Sequence, residues 1–156
     1  MLLGLRGPVL NEWSVILEIE PRETRDASKL RLGRFGSAGK RYRKHFLELG
    51  GLGIRGLCRH GPDILVLAGC VNSVDGPARL YRWRGGARTD RERQLRPADL
   101  RKVMDLPAGE GDDHPEGIAV ITQGARERLL VVYERASKRR YLGADGVAAD
   151  VFPIPA

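Results

Sequence analysis

Residues 112–116 read Asp-Asp-His-Pro-Glu, which places three carboxylates and one imidazole directly before the apolar stretch GIAVI. Carboxylate oxygens and an imidazole can bind a divalent metal, and a bound metal can activate water for hydrolysis. His114 and Glu116 are two positions apart and would share a face in an extended segment. Glu116, His114 and Asp112 therefore form an alternative metal set. The favoured interpretation is an acidic turn with Glu116 in a salt bridge and no cofactor.

Two arginines stand at positions related to Glu116, because one glycine-containing phrase occurs three times. The phrases are GLRGPVL (4–10), GIRGLCR (53–59) and PEGIAVI (115–121). Guanidinium groups can bind a phosphate or carboxylate ligand through paired N–H donors. The predicted ligand-binding set is Arg6, Arg55, Glu116, His114 and Asp113. The alternative is structural: the arginines tie neighbouring strands to Glu116, since a partly buried charge has to be paired.

Each phrase opens a predicted β-hairpin. It is followed by a turn rich in turn-forming residues and then by a second apolar run. The second runs are SVILEI (14–19), ILVLAG (64–69) and LLVVYE (129–134). Since the second strand of a hairpin ends at the edge where the first begins, the loop with Asn72, Ser73 and Asp75 is expected near the arginines and Glu116.

Two further strand-like segments follow each hairpin. The third-strand candidates are KLRLGRF (29–35), ARLYRWRG (78–85) and KRRYLGA (138–144), and the fourth-strand candidates are FLELG (46–50), VMDLP (103–107) and VFPIP (151–155). Four antiparallel strands per unit are typical of a propeller blade. The prediction is an all-β partial β-propeller of about three four-stranded antiparallel blades, at 3–50, 51–108 and 112–155. One short helix is expected near 97–104, opened by Pro97. A plain antiparallel sandwich is the alternative.

Three blades are fewer than the four to eight, roughly, of closed propellers. We therefore expect residues 1–156 to be a single half-propeller domain. Its expected partner is either a second copy of the chain or the missing half of a longer propeller. Two uncovered blade faces would favour such association.

The net charge of +7 and the isoelectric point near 9.9 raise nucleic acid as a partner. However, the basic residues, 22 Arg and 5 Lys, are interleaved with acids and form no basic helix. Nucleic acid is therefore not expected. The chain contains neither a signal-peptide pattern nor an apolar stretch of about 18 residues, so a cytoplasmic location without membrane contact is expected.

Six phrases in this order resemble a bacterial family known as domain of unknown function 3616: GLRGPVL, LGGLGIRGL, ILVLAG, LYRWRG, DHPEGIA and ADVFPIP. The resemblance covers nearly the whole chain. It implies a propeller fold and identifies the chain with the carboxyl-terminal half of longer members, and it implies no activity. The E-G-I-A phrase is also similar to the inner strand of phytase-like and gluconolactonase-like propellers, in some of which an acidic residue binds a metal.

These observations favour a ligand- or protein-binding scaffold with a polar channel rim over an enzyme. The alternative is a metal-dependent hydrolase that acts on an anionic small molecule. In that alternative the acidic residues would hold the metal and the arginines would hold the substrate.

Overall fold

The computed structural model describes residues 1–26, 28–72, 75–109 and 111–155, and almost all regular structure within these ranges is β-strand. The only helical segment described is a 3-10 helix at Lys138–Arg140. The strands are β1 (Leu2–Gly4), β2 (Trp13–Ile19), β3 (Pro21–Arg22), β4 (Arg31–Leu32), β5 (Tyr42–Glu48), β6 (Gly53–His60), β7 (Asp63–Gly69), β8 (Ala78–Trp83), β9 (Arg93–Leu95), β10 (Leu100–Leu106), β11 (His114–Gln123), β12 (Arg126–Glu134), β13 (Tyr141–Leu142), β14 (Gly146–Val147) and β15 (Asp150–Pro153).

The strands form three main sheets. The first sheet has the order β1-β2-β5-β9, the middle sheet β6-β7-β8-β10 and the third sheet β11-β12-β15. All neighbours in these sheets are antiparallel except β5 and β9, which are parallel. Two small hairpins, β3-β4 and β13-β14, lie apart from them, and no sheet in the described ranges closes into a barrel. The all-β prediction with several antiparallel sheets is confirmed.

The middle sheet is buried on both faces, which explains why ILVLAG is apolar without interruption. Along β7, Ile64, Val66 and Ala68 face a core shared with the first sheet. Leu65 and Leu67 face a second core shared with the third sheet. A strand alternates its side chains between two faces, so only a strand covered on both sides needs apolar residues at every position.

Each core joins two sheets. The first contains Ile16, Leu47, Leu49, Leu52, Ile54, Ile64, Val66, Ala68, Tyr81, Trp83, Leu95 and Leu100. The second contains Leu65, Leu67, Ala78, Leu80, Leu106, Leu129 and Val131. Burying one such large side chain contributes about 1.5–3 kcal/mol, so these two cores hold the stack together. Among the described residues, no helix is long and apolar enough to cross a bilayer.

The three related phrases come together because the first strand of each sheet packs beside the next. The backbone N–H of Ile54 donates to the carbonyl of Leu5 over 3.2 Å, which joins β6 to the segment after β1. On the other side, Gly56 packs against Ile118 of β11. A Cβ at Gly56 would meet the Ile118 side chain at 3.4 Å, an ordinary contact distance. The positions predicted for Arg6, Arg55 and Glu116 therefore meet at one end of the stack.

Two predicted third strands are wrong. Residues 29–35 contribute only β4, which pairs with β3 in a separate hairpin, and residues 138–144 contribute the 3-10 helix and β13. Both segments carry three positive charges, which favours exposure over burial in a sheet. The predicted fourth strands take the third place instead, because β5 pairs directly with β2, and β15 with β12. In the middle sheet, β8 and β10 occupy the predicted third and fourth places.

The predicted helix near 97–104 is also wrong. Residues 97–99 form a turn in which Asp99 N–H donates to the Arg96 carbonyl over 2.8 Å and the Asp99 carboxylate accepts the Arg96 N–H. The chain then continues as β10, which pairs with β8 and buries Leu100 and Leu106. A proline suits the first position of a turn as well as that of a helix. Here the residues after the turn pair with the edge of β8, so they form a strand and not a helix.

Candidate functional site

Arg55 and Glu116 are each the extra residue of a β-bulge. In the pairing of β6 with β7 the register shifts between Ile54 and Gly56, and in the pairing of β11 with β12 it shifts between Pro115 and Gly117. A bulge turns the side chain of its extra residue away from the regular alternation, and bulges are common beside functional sites. The glycine that follows each residue is the sequence signal for this geometry.

The two bulged residues form an ion pair. The Arg55 guanidinium contacts the Glu116 carboxylate and donates to the carbonyl of Cys70. The Arg55 side chain is only 7% exposed, and its Nε has no hydrogen-bond partner among the described residues. Burial, and next the positive charge of Arg6, lower the pKa of Arg55. This ion pair is the contact predicted by the alternative in which the arginines tie neighbouring strands to Glu116. It leaves Nε of the buried Arg55 guanidinium without a partner among the described residues.

Arg6 is held at the same place by its backbone. Its carbonyl lies so close to Gly53 that a Cβ at that position would overlap it. The Arg6 side chain is exposed, and it has no ion-pair or hydrogen-bond partner within the described residues. Arg6, which follows the first strand of the first sheet, and Arg55, in the middle sheet, thus place one unpaired and one paired guanidinium close together.

A cavity of about 180 Å³ lies at this spot. Its lining consists of Arg6, Arg55, Asn72, His114, Glu116, Glu134 and Arg135. Pockets for drug-sized ligands are larger, roughly 300–1,000 Å³. The lining carries three arginines against two glutamates, so the cavity suits a small anion that also offers hydrogen-bonding groups.

The loop after β7 contributes to this end of the molecule, as expected. Asn72 lines the cavity, and the carboxylate of Asp75 lies 3.7 Å from Nε2 of His114. Asp75 also accepts the backbone N–H of Gly111 over 2.9 Å, which ties the loop after β7 to the segment before β11. Ser73, the third residue expected here, lies outside the described residues.

Asp113 does not line the cavity, and its side chain is buried. Its carboxylate accepts the N–H and the hydroxyl of Ser137 over 2.8 and 3.0 Å, and N–H donors of Arg139 and Arg140 over 2.8 and 2.7 Å. Burial alone would raise the pKa of Asp113, but these hydrogen bonds hold it well below its usual range. Hydrogen bonds from four donors stabilise the charged form of this carboxylate, and the structure does not bring Asp113 together with the other predicted ligand-binding residues in the cavity.

The contacts of Asp113 continue into a network that fixes the entrance of β11. Arg140 also binds Asp150 over 2.9 Å, and its guanidinium stacks 3.8 Å from the centre of the Tyr133 ring. Tyr133 donates to Asp150 over 2.6 Å. Asp113 N–H donates to the carbonyl of Arg135 over 3.0 Å, and both residues have positive φ, 56° and 51°. Non-glycine residues rarely adopt this conformation, so the network holds strained backbone beside the cavity.

The alternative metal set does not assemble. His114 and Glu116 both line the cavity, but Asp112 does not. Among the described residues, no three His, Cys, Asp or Glu side chains are placed to hold a metal ion together. Glu110 of the preceding loop lies outside the described residues.

Two cavity residues, Glu134 and Arg135, were not predicted. Glu134 is the last residue of the run LLVVYE and of β12, and Arg135 follows it. The loop after β7 was expected near the arginines because β7 ends at the edge where β6 begins. The same argument applies to β12, which ends at the edge where β11 begins. The signal was therefore available from hairpin geometry.

A family model described as protein of unknown function (DUF3616) matches residues 1–150. This range contains every residue that lines the cavity. No curated protein matches the chain, and neither does any solved structure.

Proposed function

The chain belongs to the family described as protein of unknown function DUF3616, and we propose that it binds small anionic molecules in the cavity between its three first strands. The ligand carries a carboxylate or phosphate group. In this proposal the three sheets are blades of one half-propeller domain, and the cavity lies at the rim of its channel. The protein is a binding scaffold and not an enzyme.

The observation that carries this proposal is the pairing state of the cavity arginines. Arg55 is engaged by Glu116, whereas Arg6 and Arg135 have no carboxylate partner among the described residues. Exposed arginines elsewhere, such as Arg101, also lack a carboxylate partner among the described residues, whereas Arg6 and Arg135 both lack one beside the same cavity. Two unpaired guanidiniums beside one small cavity offer paired N–H donors of the kind that bind carboxylate and phosphate.

The remaining lining residues favour a ligand with polar groups besides the anion. Asn72 offers an amide, and Glu134 offers a carboxylate that can accept from a hydroxyl or an ammonium group. The described residues that line the cavity include no apolar side chain. A small hydroxy acid or a phosphate ester therefore matches the cavity better than an apolar molecule.

The test is isothermal titration with inorganic phosphate and with glycolate at constant ionic strength, because screening changes with salt. Arg6→Ala should weaken binding about 10- to 100-fold, since a hydrogen bond to a charged group contributes about 1.5–3 kcal/mol. Glu116→Gln should strengthen binding, because it frees Arg55 and removes one negative charge. Arg101→Ala, an exposed arginine outside the cavity, is the matched control and should bind as wild type does.

The proposal would be refuted if neither phosphate nor glycolate bound to the folded wild-type protein. An equal loss of affinity in Arg6→Ala and Arg101→Ala would also refute it, because binding would then reflect only the net charge of +7. Duplex DNA that binds with an affinity falling steeply as the salt concentration rises would support the nucleic-acid alternative instead.

No specific observation favours the metal-dependent hydrolase, the alternative function. It requires several oxygen or nitrogen ligands around an open position, whereas Asp113 is occupied by Ser137, Arg139 and Arg140. Thermal melting with calcium, magnesium, manganese or zinc distinguishes the two functions. A metal that raises the melting temperature of wild type but not of Glu116→Gln would support the hydrolase.

A further inference from the structure

The third sheet has an apolar face that lies outside both cores. Residues that alternate with its core positions point to the opposite side: Ala119, Ile121, Leu130, Val132 and Val151. Val132 and Val151 are 47% and 44% exposed. The charged residue Arg128 stands at one end of this face, beside Ile121. Apart from contacts within the sheet, its strands pack mainly on β6 and β7, which lie on the core side.

The first sheet has a similar face on its own outer side. Leu3 pairs with Leu17, and Val15 pairs with Phe46, so these four side chains share one side of the sheet. None of the four belongs to either core. Leu3 is 40% exposed, whereas Val15, nearer the middle of the sheet, is buried at 8%. Lys44, beside Leu17, is the charged residue at its margin.

The stack repeats one kind of interface. β1 packs beside β6, and β6 packs beside β11, so each sheet covers the next with its first strand at the same end. The middle sheet is covered on both sides, whereas each outer sheet keeps one apolar face. A contiguous exposed apolar face is typical of an interaction surface.

We infer that the outer face of the third sheet binds the outer face of the first sheet of a second copy of this chain. This interface continues the order of sheets already present within the chain. Because the two faces differ, the contact is heterologous, and two copies satisfy both faces of each other. The resulting ring has six sheets, which falls within the roughly four to eight blades of closed propellers.

Size-exclusion chromatography with light scattering tests this inference. Wild type should have twice the 17.3 kDa mass of one chain. Val132→Asp and Leu3→Asp should each shift the mass towards one chain, because a buried carboxylate without a partner opposes the contact. Leu30→Asp is the matched control, since Leu30 is 69% exposed and lies on neither face. It should keep the wild-type mass.

A mixture of the Val132→Asp and Leu3→Asp chains provides the decisive measurement. In a mixed pair, one of the two interfaces contains neither aspartate, so part of the double mass should return. Circular dichroism checks that each variant is folded, and Val132→Thr replaces Val132→Asp if the latter is not.

Three results would overturn the inference. One is a monomeric wild type at all concentrations, as expected if another segment of a longer protein covers these faces. Another is dissociation by Val132→Asp but not by Leu3→Asp, which would mean that the third sheet pairs with itself. The last is a mixture that stays monomeric.

Discussion

Replacing Asp113 by asparagine tests whether this residue holds the entrance of β11 together. The substitution keeps the size of the side chain and removes its charge. One amide oxygen can still accept from Ser137, but the amide NH₂ then faces the N–H donors of Arg139 and Arg140. The adjacent residue provides a matched control, because Asp112 is only partly buried and its side chain has no ion-pair partner among the described residues.

The expected loss follows from the burial of each partner. Arg139 is 75% exposed, so its bond contributes only about 0–1 kcal/mol. Arg140 is 11% exposed, and a hydrogen bond from such a charged group contributes about 1.5–3 kcal/mol. The mispaired amide adds about 1–3 kcal/mol. These contributions total about 2.5–7 kcal/mol. Breaking a buried ion pair typically costs about 3–5 kcal/mol, which lies within this range and is the loss expected for Asp113→Asn.

Urea unfolding followed by tryptophan fluorescence measures this loss. With two tryptophans in the chain, the transition is readily observed. Asp112→Asn should change the free energy of unfolding by less than about 0.5 kcal/mol, as surface substitutions usually do. Equal effects of the two substitutions would refute the reasoning, because the four hydrogen bonds to Asp113 would then contribute nothing.

The pH dependence gives a second readout. The pKa of Asp113 is lowered in the folded state, so the unfolded chain binds the proton more readily. The stabilisation is complete above the unfolded pKa, about 3.9, and is lost as pH falls towards the folded value. Wild type should therefore lose stability below about pH 4 more steeply than Asp113→Asn does.

Two further predictions concern the packing of the first sheet. Gly53→Ala should destabilise the fold by about 1–3 kcal/mol in urea unfolding, because its Cβ would overlap the Arg6 carbonyl, whereas Gly56→Ala meets its nearest atom only at 3.4 Å and should be nearly neutral. Burial lowers the pKa of His45 in spite of its contact with Glu18, so the unfolded chain takes up the proton first. Stability should fall as pH drops below about 6.5, and His45→Gln should flatten that slope; an unchanged slope contradicts the prediction.

The central pair of the candidate site was predictable because it recurs along the chain. Arg55 and Glu116 each precede a glycine at the start of an apolar hairpin, and aligning these phrases places them at related positions. The alignment did not distinguish an anion site from a salt bridge. That distinction depends on distances between strands of different sheets, which periodicity does not contain.

The partners of Asp113 could not be predicted. Ser137, Arg139 and Arg140 lie more than twenty residues away along the chain, and both arginines fall in the segment 138–144 that was expected to form a strand. Asp113 was grouped with His114 and Glu116 in one predicted site because the three residues are close along the sequence. In the folded chain the backbone adopts positive φ at Asp113 and turns its side chain away from theirs.

The sequence by itself determined the class of fold and the convergence of the three related phrases, because alternation of apolar residues and recurrent turns depend only on neighbours along the chain. Only the tertiary structure decided which segments complete each sheet, which arginine is paired and which carboxylate is buried. These depend on competition between distant groups for the same partners, and that competition is resolved when the sheets pack.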